Sequence, residues 1–302
     1  MMEAEGRIIE LNNENLQSFK DFCRRNRGKV DDSYLYEEDM VSFEPNSQNP
    51  TFLYLEGGKV VAAASLIMDE YNLKANRARF RILYSEKDSK GIYDGIFHRI
   101  LIHALELDNV YIFVPTYNDT LMARMEKLGF CRERYTYLMV REDDPVKKEE
   151  MEEGFSLRAF DPERDTEEWC SVRNICFATV KGNETPISPD MVRSFSSRND
   201  YLEGGMIILT HNGKSIGIVR GTRDEYEGKP IMNIGSVAVL PEYQGRGFGR
   251  VLLREAIRFA KRSGFTRTIL SVNADNEGAR KIYDREGFKE VEGVVCYVYP
   301  IH

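Results

Sequence analysis

The chain of 302 residues exceeds the usual single-domain length of about 100 to 200 residues, so two domains, each able to close its own core, are expected. With 42% hydrophobic and 30% charged residues it reads as globular rather than disordered, and a formal net charge of −7 excludes a protein built mainly to hold nucleic acid, which needs clustered Lys and Arg. No apolar run approaches the roughly 20 residues that span a bilayer, and the opening MMEAEGRIIE is acidic where a secretory signal is basic and then apolar, so a cytoplasmic location with no membrane partner is expected.

In chain order, a strand RIIEL precedes a helical stretch from Glu14 to Arg25, a hairpin FLYLEGGKVVAAASLI, a strand RARFRILY, a helix IFHRILIHALEL, a strand VYIFV and a helix TLMARMEKLGF. Charged REDDPVKKEEMEEG then reads as an exposed connector with a short helical stub in KKEEMEE, which predicts domains at 1–142 and 155–302 joined by a charged linker at 143–154. Beyond it come SLRAF, a helix from Glu167 to Ala178, a hairpin GMIILTHNGKSIGIVRG, a strand MNIGSVAVL, a helix RVLLREAIRFAKRSGF, a strand TRTILSVN and a helix EGARKIYDREGF. Each half ends in a further strand. Asn276 lies 158 residues after Asn118, and Gly287 and Phe288 stand at the same offset from Gly129 and Phe130, as an internal duplication requires.

Chemistry concentrates in SVAVLPEYQGRGFGRVLLREAIRFAKRSGF, a strand that runs into a glycine-rich loop and then an amphipathic helix opening near Gly249. Gly245, Gly247 and Gly249 tolerate positive φ and close approach, so the loop can turn backbone N–H groups toward one anion with the helix dipole behind them. Arg246 and Arg250 either add charge or are simply solvated. A Walker loop is excluded because no GK[ST] follows the glycines. A dinucleotide fingerprint with Asp275 on a ribose fits poorly, since the glycines read GxGxG and too little chain follows. A glycine turn with no ligand is the remaining alternative.

Val237, Val239, Pro241, Gln244, Gly247 and Gly249 match the V-x-V-x-P strand and [QR]xxGx[GA] loop of the GNAT N-acetyltransferases, and Asn276, Ala279, Tyr283, Gly287 and Phe288 match NxxAxxxYxxxGF. The second half therefore resembles that superfamily, with the first half a degenerate copy, as in tandem GNAT proteins. The resemblance implies an α+β chain of two tandem GNAT acyl-CoA N-acyltransferase folds, each a mixed central β-sheet flanked by helices. It implies acetyl-CoA as acyl donor, with pantetheine along Val237, Ala238 and Val239 and pyrophosphate on Gln244, Gly245, Arg246, Gly247, Phe248, Gly249 and Arg250. Asn276, Ala279 and Tyr283 share one helix face toward the cofactor, although Asn276 also reads as an N-cap and Tyr283 as a packing residue. By the resemblance Tyr283 is the general acid that protonates the leaving thiolate.

The expected activity is acetyl transfer to a primary amine by direct attack; a non-catalytic acyl-CoA sensor is the alternative, and a scaffold of two pseudo-enzymes is disfavoured by the intact loop. An amine with the pKa of lysine, about 10.4, is deprotonated at pH 7 at a cost of roughly 4.6 kcal/mol, so a base or water relay is needed. The strand Ile231 to Ser236 carries no carboxylate, and Asp224, Glu225 and Glu227 lie in the hairpin before it, where carboxylates are usually just solvated. At the 158 offset Glu86, Ser89 and Gly91 answer Gln244, Gly247 and Gly249, and Met125 answers Tyr283, so cofactor binding is expected to be lost in the first copy. Cys23, Cys131, Cys170, Cys176 and Cys296 form no CxxC pair and read as reduced thiols, while His98, His103 and His211 lack metal-ligand spacing, so no metal is expected. The acceptor-lining segments between Asp165 and Arg198 carry no signature, which leaves small amines, aminoglycosides, polyamines, amino acids and protein amines open.

Overall fold

The computed structural model describes residues 6–142, 145–146 and 151–302. In chain order the first half runs β1 (Arg7–Glu10), α1 (Leu16–Asn26), α2 (Glu37–Ser42), β2 (Thr51–Glu56), β3 (Lys59–Ile67), α3 (Glu70–Lys74), β4 (Arg77–Ser85), α4 (Lys90–Leu101), β5 (Asn109–Pro115), α5 (Asp119–Lys127) and β6 (Cys131–Glu142). The second runs β7 (Phe155–Ala159), α6 (Thr166–Phe177), α7 (Pro189–Ser194), β8 (Tyr201–His211), β9 (Lys214–Tyr226), β10 (Lys229–Val239), α8 (Phe248–Arg262), β11 (Arg267–Asn273), α9 (Glu277–Arg285) and β12 (Lys289–Pro300). The duplication is carried into the elements: α4 and α8, β5 and β11, and α5 and α9 all begin 158 residues apart. No helix among the described residues is long and apolar enough to cross a membrane.

The chain forms two compact units, one of Met1–Thr136 with Glu292–His302 and one of Tyr137–Val291. In the first, the sheet order is β1-β2-β3-β4-β5-β12, antiparallel except where β4 runs parallel to β5. Its core gathers Phe19, Phe22, Phe80 and Phe97 with Val295 and Tyr297 from β12. In the second, the order is β6-β11-β10-β9-β8-β7, with β10 parallel to β11 and antiparallel to β9. Its core holds Trp169 of α6, edge-on to Phe160, and from α8 the stripe Leu253, Ala256, Ile257 and Ala260, which the helical spacing predicts, together with Leu252.

These units differ from the expected boundary in two strands. The strand that ends the second half of the sequence lies in the first unit's sheet, and the latter half of the strand that ends the first half, Tyr137 to Glu142, belongs to the second unit. An alternating apolar strand satisfies either sheet equally, so its pattern cannot say which one it completes. Of the expected linker at 143–154, residues 143–144 and 147–150 lie outside the described residues, as does most of KKEEMEE.

Within each sheet the parallel pair parts early. The β10–β11 register records Met232 opposite Thr268 and Asn233 opposite Ile269, while β9 follows β10 onward to Val239 across a bulge between Gly235 and Ala238. Ser236 in that bulge has φ +52, a left-handed value that a serine adopts only where the surroundings demand it. One backbone edge of Val237–Val239 is thus paired to β9, and the other faces a gap.

Candidate active site

That gap opens into a groove of about 730 Å3 between the end of β10, the start of α8 and the exposed face of α9. From β10 it is lined by Val237, Ala238 and Val239, and from the loop by every residue from Tyr243 to Arg250. A 3-10 turn at Pro241–Tyr243 starts the loop, and the Gln244 side-chain amide donates to Val239 O at 2.9 Å, so this glutamine ties the loop to the strand. Gly245 and Gly247 have φ +77 and +86, the conformation for which glycine is suited, whereas Gly249 lies in the first turn of α8 and faces open space.

The amide hydrogens of Gly245, Arg246, Gly247, Phe248 and Gly249 have no protein acceptor among the described residues. They are successive donors at a helix N-terminus whose dipole favours negative charge. Arg246 lies over the rings of Phe155 and Phe248, 5.1 Å from each centroid, and reaches Glu152 at 3.1 Å. His211 stacks on Phe155 at 4.3 Å and meets the Tyr243 hydroxyl at 3.2 Å, which braces the loop from behind. Its lack of metal-ligand spacing in the sequence gave no hint of this.

On α9, Ala279 and Tyr283 line the groove and Asn276 does not. The Asn276 side chain accepts from Ala279 N at 3.2 Å and so caps the helix, which is one of its two readings and leaves its amide nitrogen for the other. Gly278, Ile282 and Arg285 also line the groove and were missed. Gly278, Ile282 and Arg285 stand at i, i+4 and i+7, a row beside that of Ala279 and Tyr283 on the same face, so the helical period carried the signal. Gly287, at φ +87, ends α9, and its successor Phe288 is buried against Tyr283 with ring centroids 6.0 Å apart. Burial pushes the Tyr283 phenol up to about 12, which keeps it protonated at neutral pH.

α8 and α9, the two helical walls, are clamped together by Arg254, whose Nε and Nη2 donate to Glu286 at 2.7 and 2.8 Å, both side chains being largely buried. Arg141 Nε donates to the Glu286 carbonyl at 2.7 Å and fixes the same corner from β6.

In the first unit the corresponding loop is built differently. Ser89 and Gly247 are both helix N-caps at the 158 offset, but Arg79 pairs with Tyr111 where Asn233 pairs with Ile269, an offset of 154 on the strand. The first copy has residues 86–89 between strand and helix where the second has 240–247, so four residues are absent. Equating Glu86 with Gln244 therefore fails, since Glu86 directly follows the end of β4. Its carboxylate is bound by Arg25 at 2.7 Å and Asn26 at 3.0 Å, and Asp88 is paired with Arg124. The amides of Glu86, Lys87 and Ser89 donate to Val61 O, Ser85 Oγ and Lys87 O.

The second unit is thus a mixed sheet parted at one parallel pair, with a donor-rich loop at the parting and helices on its flanks. Residues 166–288 match the acetyltransferase (GNAT) family, so that stretch of the chain is a GNAT domain. A mycothiol acetyltransferase of Arthrobacter sp. is 24% identical over 307 residues, covering 90% of this chain and 94% of that one. An uncharacterized N-acetyltransferase of Methanocaldococcus jannaschii is 35% identical over 95 residues, which is 30% of this chain and 42% of the length of that relative. Among solved structures, a tandem GNAT protein from the clavulanic acid biosynthesis pathway superposes with a TM-score of 0.73 at 14% identity, covering 99% of both chains, so the fold of the whole chain is that of a tandem GNAT protein.

Proposed function

We propose that the second unit transfers the acetyl group of acetyl-CoA to a primary amine by direct attack, and that the first copy serves as a silent structural partner. The observation that carries this reading is the run of unsatisfied amide donors from Gly245 to Gly249 beside a strand edge left open at Val237–Val239. Such donors suit a pyrophosphate, with Arg246 and Arg250 adding charge, and the open strand edge suits the amides of a pantetheine arm, which it would pair as it would an added strand.

Direct attack needs a neutral amine at the thioester carbonyl, and its lone pair forms the N–C bond as the C–S pair leaves on sulfur. Tyr283 supplies the proton to that sulfur and is reloaded from solvent. A phenol at about 12 is a weaker acid than a thiol of about 8.5, so its work is to hydrogen-bond the developing thiolate early and complete the transfer as the bond breaks. A covalent acyl-cysteine route finds no support. No cysteine lines the groove, and burial pushes Cys176 up to about 11 and Cys23 and Cys296 up to about 12, away from thiolate character.

The test is release of free CoA, followed with a thiol reagent, from acetyl-CoA incubated with the full chain and a panel of primary amines. Amine-dependent release is expected. Binding of CoA with no release from any amine would leave the sensor reading in its place, and absence of CoA binding would remove both.

A further inference from the structure

The attacking nitrogen must lose a proton at a gap whose own strand carries no carboxylate. We infer that Asp224, on the neighbouring strand, is the group that takes it. This rests on the acetyl-transfer reading above.

Asn233 is the last residue of β10 in register with β11, so its side chain stands where the two strands begin to part. Across β9 it is opposite Thr222, and Asp224 is opposite Ile231, which makes Asn233 and Asp224 diagonal neighbours on one face of the sheet. Their side chains meet: Asn233 Nδ2 donates to Asp224 Oδ2 at 2.9 Å, while Asp224 Oδ1 accepts from Glu225 N at 2.8 Å. A hairpin carboxylate that sequence position alone would leave solvated is thereby drawn half-buried to the edge of the gap.

Three further observations fit a proton acceptor. No Lys, Arg or His nitrogen among the described residues is within ion-pair distance of Asp224, so its charge is not already neutralised. Neither Asp224 nor Asn233 lines the cofactor groove, so the carboxylate stays reachable from the acceptor side when the groove is filled. The charged and titratable groups around that face have other partners: Arg220 of β9 lies over Phe195 and reaches Asp200, and Arg267 of β11 is held by Glu142 and Glu227 and lies over Tyr226. Tyr201 of β8 stands opposite Thr222.

The step balances simply. The bound ammonium gives one proton to the Asp224 carboxylate, the freed lone pair attacks the carbonyl, and Asp224 returns the proton to solvent after the C–S bond breaks. The nitrogen loses its second proton to solvent as the intermediate collapses. Asn233 is a positioning residue that aims the carboxylate.

Asp224→Asn and Asn233→Ala are compared with the wild-type chain for kcat at saturating amine, CoA affinity and thermal unfolding. For Asp224→Asn we expect kcat at pH 7 to fall about 100-fold with CoA affinity and melting unchanged. The deficit should shrink as pH approaches 10, because a lysine-like amine is only about 0.04% neutral at pH 7 and needs no base once it is free. For Asn233→Ala a loss of about tenfold with an unaltered pH profile is expected. An Asp224→Asn chain with wild-type kcat and pH dependence overturns the inference and leaves the acetyl-transfer reading standing. A wild-type chain that releases no CoA with any amine removes both.

Discussion

Two strand-to-helix loops hold corresponding places in the two copies, residues 86–89 after β4 and residues 240–247 after β10. The long loop leaves five successive amide donors without acceptors beside a groove of about 730 Å3. In the short one, three of the four loop amides have acceptors, its two carboxylates are tied to Arg25 and Arg124, and the cavity behind it is about 390 Å3. Tyr117 and Asn118 further donate to the carbonyls of Gly28 and Lys29, drawing the α1 side across that cavity. The lesson is that a fold can outlast a binding site once its free donors have been consumed, because backbone amides that find partners inside the chain add stability while removing the site.

The comparison turns into experiments when second-copy residues are replaced by their first-copy counterparts. The largest effect is expected at Tyr283, whose counterpart is the fully buried Met125. Tyr283→Met should lower kcat by about two to four orders of magnitude while CoA affinity stays within about twofold, measured by steady-state kinetics and calorimetry. If kcat is untouched, Tyr283 belongs to the packing, as Met125 does.

The next effect is on stability. Arg254 and Glu286 of the second copy answer Ile96, buried in the first unit's apolar core, and Leu128, packed partly buried against it. Glu286→Leu alone removes the carboxylate to which Nε and Nη2 of the largely buried Arg254 donate, and should cost about 3–5 kcal/mol in urea unfolding. The double change Arg254→Ile with Glu286→Leu should recover most of that loss, since an apolar pair has no desolvation penalty to offset. Additive losses would mean that the ion pair is not one coupled unit.

Smaller still is Gly247→Ser, which installs the first-copy residue at φ +86. A left-handed serine costs about 1–2 kcal/mol, so CoA affinity should weaken about 5- to 30-fold by calorimetry with little change in kcat. Unchanged affinity would show that the loop does not hold the conformation on which the cradle depends.

Much of this was legible in the sequence, for reasons that separate cleanly. Glycines at positive φ, an amphipathic α8 and the face of α9 are local, fixed by residues within a few turns of one another, and Gly245, Gly247, Ala279 and Tyr283 all fall where their spacing puts them. The constant offset of 158 exposed the duplication, yet three matched positions beyond the loop could not reveal four residues missing within it. Long-range pairings were hidden. Which sheet β6 or β12 completes, the stacking of His211 on Phe155 and the reach of Asp224 to Asn233 depend on partners set by tertiary register. At Asn276 the cap is formed as its sequence position suggests, and its counterpart Asn118 both caps α5 and donates to Lys29 O, so a cap does not use up an asparagine.

The smallest predicted effect is an absence in the pH profile, and its sign follows from burial. Desolvation raises the Tyr283 phenol from 10.0 to about 12, so the protonated form that donates to sulfur is fully populated below pH 10. The wild-type kcat should therefore rise or level off between pH 7 and 9.5 as the amine loses its proton, with no alkaline fall in that range. Stability carries the same signature: a folded pKa above the unfolded one contributes in full below pH 10, and the contribution is lost as pH climbs from 10 through about 12, which confines the assay to the lower window. An alkaline fall centred near pH 8 or 9 that disappears in Tyr283→Phe would place the phenol in a far wetter site than the one between Phe288 and the groove. A fall that persists in Tyr283→Phe belongs to another group and leaves the acid assignment intact.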